Sequence, residues 1–145
     1  SDLLVEAAMA GREVECAVLG NAHPQPSPLG QIVPRAEFYS YEAKYADDST
    51  ELTVPAPIPA ATAARVQQYA LDAFRALDCA GLARVDFFVD PPESVQIIEV
   101  NTLPGFTPIS MYPRLWQEAG VTYPALISRL VDLALERFEE AHAHA

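Results

Sequence analysis

The sequence predicts an α+β protein with a largely antiparallel sheet flanked by helices. Two regions alternate apolar and polar residues as strands do. The first is EVECAVLG, which begins at position 13; the second is GLARVDFFVD, which the turn DPPES joins to VQIIEVN. Other regions repeat apolar residues at intervals of three and four, which is the helical pattern. Helices that accompany hairpin-like strands favour this fold class.

The composition limits the classes of partner. The chain has 145 residues, enough for one domain with a substantial core. Its net charge is −11, with 20 acidic against 9 basic residues. Nucleic acids and anionic lipids both attract a basic face, so this balance argues against either surface. No apolar run approaches the ~20 residues of a membrane span. We therefore expect neither nucleic acid nor membrane as a partner.

The cysteines and the first residues bear on location and length. Cys16 and Cys79 show neither metal-ligand nor CxxC spacing. Their apolar neighbours favour two buried free thiols in a reducing compartment, so the cytoplasm is the expected location. The chain opens without Met, on SDLLVEAAMAG, and is strand-like almost at once. We therefore expect it to be a piece of a longer protein.

The first sixty residues contain strands and irregular segments. Residues 3–9 are apolar except for one glutamate and are expected to pair with EVECAVLG as a hairpin. Residues 20–34 are rich in Pro, Gly and Asn, which predicts a loop leading to a short strand at IVPR. FYSYEAKYADDSTELTVPAPIPA, residues 38–60, has no sustained period. It predicts a long irregular connection, and such segments are often functional.

Three helices are predicted. The first runs from Ala60 to Cys79, with Thr62 as its N-cap and Gly81 closing it. SMYPRLWQEAG predicts a short second helix, and Pro124 opens a long terminal helix. The apolar stripes that define the two long helices are Val66, Tyr69, Ala73 and Leu77, widened by Ala70 and Phe74, and then Leu126, Leu130, Leu133 and Phe138.

The hairpin of residues 82–101 carries an unusual polar set. If PPES is a four-residue loop, Asp90 pairs with Val95. This register places Asp86 opposite Glu99 and Arg84 opposite Asn101, because strand side chains alternate between faces. The four polar side chains would then form one patch, while Ile98 and Val100 anchor the other face of the strand in the core. A slip of one residue would disperse the patch.

The chemistry of this patch favours a metal site. Two carboxylates that face each other across a ladder destabilise a sheet unless something compensates them. Oxygen ligands from Asp, Glu and Asn suit Mg²⁺ or Mn²⁺, and Mg²⁺ usually completes its shell with waters and substrate phosphates. Arg84 beside the metal can stabilise a developing oxyanion. For Asp86 or Glu99 alone, a solvated face with an Arg–carboxylate pair is the better interpretation; for all four together we favour the site.

Two residues after the hairpin have alternative interpretations. Gly105 permits close approach of the backbone to a ligand, or only serves the turn. Ser110 is placed to bind a substrate carboxylate, or only to cap the short helix.

Several of these stretches together resemble a known family. RVDFFVD, then IIEVNTLPGFTPIS, then a short and a long helix are similar to the C-terminal end of the D-alanine–D-alanine ligases of the ATP-grasp superfamily. FYSYEAKY resembles the mobile loop that closes over the active site in those ligases. The similarity runs from near Leu3 to about Arg137. The Asp…Glu-x-Asn pattern alone would indicate only some ATP-grasp enzyme, whereas EAKY with EVNTLPGFTPIS is much more specific.

The resemblance implies a reaction and a set of roles. ATP phosphorylates the carboxylate of one D-alanine, and the amine of a second D-alanine attacks the acyl phosphate to form the dipeptide used in peptidoglycan. The implied roles are these: Asp86, Glu99 and Asn101 hold two Mg²⁺ (or Mn²⁺) ions; Arg84 and the Gly105 N–H stabilise the tetrahedral oxyanion; Ser110 and the Met111 backbone hold the second D-alanine's carboxylate; Lys44 contacts substrate or phosphate charge; Tyr45 helps close the loop; Glu6 binds the adenine amino group; Glu13 binds the ribose hydroxyls.

Some of these roles rest on the resemblance alone. By residue type, Lys44 is an ordinary solvated lysine, Tyr45 a packing aromatic and Glu13 a solvent-facing strand residue, whereas Glu6 among apolar neighbours is a stronger candidate. Where the family often has a charged and then an aromatic residue, this chain has Ala7 and Ala8, which predicts a less aromatic adenine pocket.

The resemblance also defines what this chain lacks. The family's N-terminal domain, its upstream lysines and its Gly-rich phosphate loop have no counterpart here. Residues 1–145 are therefore expected to be a single partial domain that is inactive alone. Alternatives are a D-alanine–D-lactate or D-alanine–D-serine ligase, a non-catalytic lobe, or a purely structural acidic patch. A homodimer is usual for the full-length enzymes.

Overall fold

The computed structural model describes residues 3, 5, 9, 11–34, 50–90 and 94–143. Within these residues an antiparallel sheet with strand order β3-β2-β1-β4-β5 is covered by helices on both faces. The predicted α+β class is confirmed. In chain order the elements are β1 (Arg12–Gly20), β2 (Gln25–Pro34), β3 (Thr50–Thr53), α1 (Ala60–Ala76), β4 (Gly81–Asp90), β5 (Ser94–Asn101), α2 (Met111–Glu118) and α3 (Tyr123–His142).

The central strand is β1, which is paired along both edges. It pairs with β2 from Glu13 to Leu19 and with β4 from Arg12 to Gly20. No edge is left for residues 3–9, so the prediction that they form its hairpin partner is wrong. Of those residues the structure describes only 3, 5 and 9, and none of these three is in a strand.

The second strand is much longer than predicted, although it contains three prolines, which cannot donate to a ladder. A bulge between Cys16 and Val18 in the β1–β2 register absorbs the break. The buried Ser27 hydroxyl accepts a hydrogen bond from the Ala17 N–H at 3.0 Å and donates to the Pro28 carbonyl at 2.6 Å. A side chain thus replaces the backbone partner, and the strand continues where the composition predicted a loop.

The expected irregular connection of residues 38–60 also contains a strand. β3 pairs with β2, with Thr53 opposite Gln31 and Thr50 opposite Pro34. Residues 35–49 lie outside the described part of the chain, so the rest of the prediction stands there without a test.

Helix α1 covers one face of the sheet with a buried stripe of residues spaced four apart. Val66, Ala70 and Phe74 are buried against Val14, Cys16, Val85 and other apolar residues of the central strands, and Thr62 is buried one turn before them. Val66, Ala70 and Phe74 were expected in the stripe, but Tyr69 and Leu77 are exposed by 40% and 62%. The buried stripe repeats every fourth residue, which turns Tyr69 and Leu77 away from the sheet.

Both predicted caps of α1 are wrong. Pro59 stands at the N-cap position, and Thr62 is buried inside the helix. The helix ends before Asp78, whose φ of +52° provides the left-handed residue that was expected of Gly81. The Cys79 N–H then donates to the Phe74 carbonyl at 3.0 Å, closing the last turn.

Helices α2 and α3 cover the other face. Leu115, Trp116, Leu126 and Leu133 are buried with Ala17 of β1 and neighbouring residues. The Thr122 hydroxyl caps α3 by accepting from the Ala125 N–H at 3.4 Å. Within the described residues, no helix has the length and apolarity that a membrane crossing requires.

Asn21, which follows β1, ties α3 to the sheet. Its amide nitrogen donates to the Leu133 carbonyl at 2.9 Å, and its amide oxygen accepts from the Gly81 N–H at 3.1 Å. Helix α3 is therefore connected to the start of β4 by hydrogen bonds as well as by apolar contact.

Ser27→Ala should lower the free energy of unfolding by about 1–3 kcal/mol, because a buried N–H loses its acceptor. Urea unfolding measures the change. Ser128→Ala is the matched control: its hydroxyl donates to the Pro124 carbonyl at 3.1 Å on the exposed side of α3, and we expect a change within about 0.5 kcal/mol. Equal costs for the two variants would contradict the role of Ser27 in β2.

Candidate active site

Three carboxylates lie in one row across the central strands. β1 places Glu15 beside Asp86 of β4, and β5 places Glu99 on the other side of Asp86. In the next row Arg84 stands opposite Asn101. The predicted juxtaposition of the four hairpin residues is therefore confirmed, and a fifth polar residue joins them.

The hairpin reaches this register by a different route from the one predicted. Asp90 pairs with Ser94, not Val95, so the turn register is one residue off. An irregularity between Asp86 and Phe87 leaves Ile98 as an extra residue in β5 and restores the predicted pairs. Ile98 is 45% exposed, so its predicted role as a core anchor is wrong, whereas Val100 does pack against the core.

Glu15 is the residue that sequence reasoning missed. Alternation along β1 places it on the polar side of the strand, but only the pairing of β1 with β4 brings it beside Asp86. Glu15 is 3% exposed and Asp86 4% exposed, so two carboxylates are buried next to each other. The signal in the sequence was an acidic residue between Val14 and Cys16, directly before the apolar run CAVL.

Arg84 compensates the carboxylates. Its Nε donates to Asp86 Oδ1 at 2.8 Å and its Nη2 to Asp86 Oδ2 at 2.7 Å, a bidentate pair. Nη2 also lies 3.8 Å from Glu99 Oε1. Burial disfavours the charged guanidinium, but the hydrogen bonds to Asp86 and the surrounding carboxylates outweigh it and raise the pKa of Arg84.

Glu15 is only partly compensated. Its Oε2 lies 3.1 Å from Arg84 Nε, yet the N–H of that atom is directed at Asp86, and no described residue donates a hydrogen bond to Glu15 Oε2. Burial, and then the charge of Asp86, raise the pKa of Glu15 from 4.5 to about 8, although Arg84 opposes the shift.

The proposed metal ligands present oxygen atoms of the kind that Mg²⁺ prefers. The Glu99 side chain is 57% exposed and can turn outward. The Asn101 Oδ1 accepts from the Leu103 N–H at 3.1 Å and keeps a second lone pair. In the described residues no three His, Cys, Asp or Glu side chains are grouped to hold a metal, so the set depends on the Asn101 amide as its third ligand. The donor chemistry fits a hard cation.

The loop after β5 holds the Ser110 hydroxyl in place. Ser110 Oγ accepts from the Thr107 N–H at 3.0 Å and lies 2.8 Å from Thr107 Oγ1. Although Ser110 stands at the N-cap position, its side chain makes no capping hydrogen bond to α2, so the capping alternative is wrong. A Cβ at Gly105 would lie 3.3 Å from Ser110 Oγ, which makes this glycine a close neighbour of the hydroxyl.

Aromatic residues anchor this loop to the core. The ring of Phe106 packs against Tyr112 and Tyr123, with centroids 5.8 Å and 5.6 Å away. Tyr123 donates its hydroxyl to the Phe106 carbonyl at 2.9 Å, and Tyr112 donates to the Val18 carbonyl at 2.9 Å. The loop is thus connected through α2 to the strand that carries Glu15.

Two further predicted residues lie within the described part of the chain. Met111 is buried at the start of α2, where its side chain packs over Gly30 of β2. Glu13 is half-buried on the same side of β1 as Glu15, and its charge contributes to the raised pKa of Glu15. The remaining predicted residues, Glu6, Lys44 and Tyr45, lie outside the described residues.

The raised pKa of Glu15 predicts a pH dependence of stability. Between pH 4.5 and about 8 the folded state keeps a proton that the unfolded state releases, so the free energy of unfolding should fall as pH rises through this window. Urea unfolding in EDTA at several pH values, compared with Glu15→Gln, isolates the contribution of Glu15. The control is Asp72→Asn, which lies beside Arg75 on the exposed side of α1. It should keep the parental slope of unfolding free energy against pH. A Glu15→Gln slope equal to the parental one would contradict the prediction.

Comparisons with known proteins support one family. The model of the D-ala D-ala ligase C-terminus matches residues 1–132. A D-alanine--D-alanine ligase of Acetivibrio thermocellus is 52% identical over 139 residues, and one of Geobacillus kaustophilus is 54% identical over 138 residues. Each alignment covers 95% of this chain but 37% and 38% of the relative. The chain therefore spans little more than a third of the length of these relatives.

Solved structures agree with the sequence matches. The D-alanine-D-alanine ligase of Coxiella burnetii has a TM-score of 0.82 and 40% identity, covering 95% of this chain and 36% of that one. The VanG D-Ala:D-Ser ligase of Enterococcus faecalis has a TM-score of 0.76 and 35% identity, over 87% and 37%. A Bacillus anthracis D-alanine--D-Alanine ligase complexed with ATP has a TM-score of 0.75 and 27% identity, over 92% and 41%. With its five-stranded sheet, its helices and its matched residues, this chain belongs to the D-alanine–D-alanine ligase C-terminus family.

Proposed function

We propose that these residues form the metal- and second-substrate-binding half of an ATP-dependent ligase that joins two D-alanines. The observation that carries the proposal is the row of Glu15, Asp86 and Glu99 with Arg84 beside it; the loop that follows β5 in the chain holds the Ser110 hydroxyl. In the proposed reaction, ATP transfers its γ-phosphoryl group to the carboxylate of the first D-alanine and leaves as ADP. The amine of the second D-alanine attacks the acyl phosphate, loses a proton and expels phosphate.

Asp86, Glu99 and Asn101 would hold the Mg²⁺ or Mn²⁺ ions of this reaction. When bound, such ions neutralise phosphate charge and orient the transferred group. Burial within the sheet holds Asp86 in place, whereas the exposed Glu99 side chain can adjust to the ions. All three donors are oxygen atoms, as hard cations require.

Arg84 would stabilise the oxyanion of the tetrahedral intermediate. Two of its five N–H groups are given to Asp86, which fixes the plane of the guanidinium. The raised pKa keeps the group charged at every working pH, and its partial burial strengthens the field that it exerts on a nearby anion. The Gly105 N–H is proposed as a second donor to the same oxyanion.

Ser110 would bind the carboxylate of the second D-alanine with the backbone at Met111. Support comes from the hydroxyl's position: Thr107 holds it, and it makes no cap to α2. The first N–H groups of α2 therefore donate no hydrogen bond to the Ser110 hydroxyl, and a helix N-terminus favours an anion. Contacts of Lys44 and Tyr45 with the substrate, of Glu6 with adenine and of Glu13 with ribose are proposed from the family pattern.

The remaining proposals concern the whole protein. Residues 1–145 are one partial domain, and an N-terminal domain with a Gly-rich phosphate loop supplies the rest of the ATP site. We propose a cytoplasmic location for the enzyme. We also propose that the full-length ligase forms a homodimer. A D-alanine–D-serine ligase is the second candidate, because the VanG enzyme matches the fold at a TM-score of 0.76.

A chimaera tests the proposed reaction. Replacing the matching C-terminal part of the Acetivibrio thermocellus ligase with this chain should give an enzyme that forms D-alanyl-D-alanine. Given D-alanine, D-serine and D-lactate together at several pH values, it should use D-alanine as second substrate. Asp86→Asn should lower kcat at least about 100-fold, because a metal ligand loses its charge.

The matched control in the chimaera is Asp90→Asn. Asp90 is an exposed aspartate in the same strand, four residues from Asp86, and its change should leave kcat within about twofold. D-Alanyl-D-serine as main product would support the second candidate. Full activity of the Asp86→Asn chimaera would contradict the metal role.

The isolated chain should be inactive. In the presence of ATP, Mg²⁺ and D-alanine, the 145-residue protein should release no phosphate that depends on D-alanine, and it should bind a non-hydrolysable ATP analogue very weakly. Phosphate release and calorimetry measure the two quantities, with the chimaera at equal concentration as the positive control. D-alanine-dependent turnover, or tight analogue binding, would contradict the proposal that this is half of the site.

A further inference from the structure

Arg84 has two carboxylates within reach, and the proposed reaction uses only one of them directly. Asp86 accepts from Nε and Nη2 at 2.8 Å and 2.7 Å. Glu15 Oε2 lies 3.1 Å from the same Nε without a hydrogen bond from any described residue. A buried oxygen that close to a cation, and without a donor of its own, needs a physical explanation.

The strand register explains how both carboxylates reach one guanidinium. Glu15 and Asp86 are direct neighbours across β1 and β4, and Arg84 is two residues from Asp86 on the same face. Changing the acceptor of Nε from Asp86 to Glu15 therefore requires a rotation of the Arg84 side chain and no movement of the backbone.

The proposed function creates a conflict at Asp86. The bidentate pair already uses one lone pair of each carboxylate oxygen, and a cation would bind the same two atoms. A cation at Asp86 would repel and partly displace the Arg84 guanidinium. The Arg84 side chain is 18% exposed, so without another acceptor it could turn toward solvent and leave the reacting groups.

We propose that Glu15 is a positioning residue, the second acceptor that keeps Arg84 on the ligand-facing side of the sheet when a cation engages Asp86. This inference rests on the proposed function, because it takes Asp86 as a metal ligand. Glu15 touches Arg84 and not the reacting atoms. Its burial at 3% exposure fixes its place beside Arg84 in both arrangements.

Removing Asp86 as an acceptor tests the exchange without a metal. The probe is the hydrogen-exchange rate of the Arg84 Nε–H in nitrogen-15 NMR of the 145-residue chain, assigned by its disappearance in Arg84→Lys. In Asp86→Ala the N–H should stay protected, because Glu15 accepts it. In Asp86→Ala with Glu15→Met it should exchange at least about tenfold faster, since no acceptor remains.

Glu15→Gln supplies the rescue. Its amide oxygen can still accept the Nε–H, so Asp86→Ala with Glu15→Gln should keep most of the protection. Asp86→Val, which also removes the acceptor, is the second background, should Asp86→Ala fail to fold. Loss of protection in Asp86→Ala alone, or equal rates with and without Glu15→Met, would overturn the proposal. A purely structural role would lower the melting temperature on Glu15→Met and leave the exchange rate unchanged, which would also overturn it.

The chimaera provides an independent readout of the same residue. Glu15→Met should lower kcat about tenfold with little change in the KM for ATP, and Glu15→Gln should restore most of kcat. Asp72→Asn, which removes a carboxylate beside an exposed arginine, should change neither quantity. A parental kcat in Glu15→Met would overturn the positioning role. An inactive parental chimaera would contradict the proposed function instead, and the NMR experiment would still decide the exchange.

Discussion

The bidentate hydrogen bond between Arg84 and Asp86 is the interaction on which the polar half of this fold depends. Three strands bring Glu15, Asp86 and Glu99 into one row, and two of these carboxylates are buried. Without a cation, like charges at this spacing would push the central strands apart. Arg84 supplies that cation from the adjacent row, so the acidic row is compatible with paired strands.

The two faces of the sheet differ in polarity. The face beneath α1 is largely apolar, with Val14, Val85 and Phe87 fully buried. The face beneath α2 and α3 is apolar around Ala17 and Leu19 and polar at the acidic row. One face therefore supplies stability from apolar burial, and the other combines a smaller core with a site. Tyr112 and Tyr123 join the loop after β5 to that smaller core by hydrogen bonds.

Two predictions failed for different reasons: the turn register of the hairpin and the loop expected where β2 lies. Within the hairpin the pairing of Asp86 with Glu99 was correct although the turn register was off by one, because the extra residue Ile98 restored it. Alternation is a local property and survives such a shift, but a turn length is not encoded by alternation. In β2 the prolines indicated a loop, because their missing N–H donors are visible in the sequence. The hydrogen bond from the Ala17 N–H to the Ser27 hydroxyl, which supports the strand there, is not.

By itself the sequence determined the class of fold, the four polar residues that the hairpin brings together and the resemblance to the ligase family. These follow from side-chain periodicity and from the residue types themselves, which are local quantities. The tertiary structure alone decided that β1 is central, that Ile98 faces outward and that Glu15 joins the acidic row. Each of these depends on which strands are paired. The pairing of strands that are far apart in the chain is decided by the packing of the whole sheet and not by local sequence.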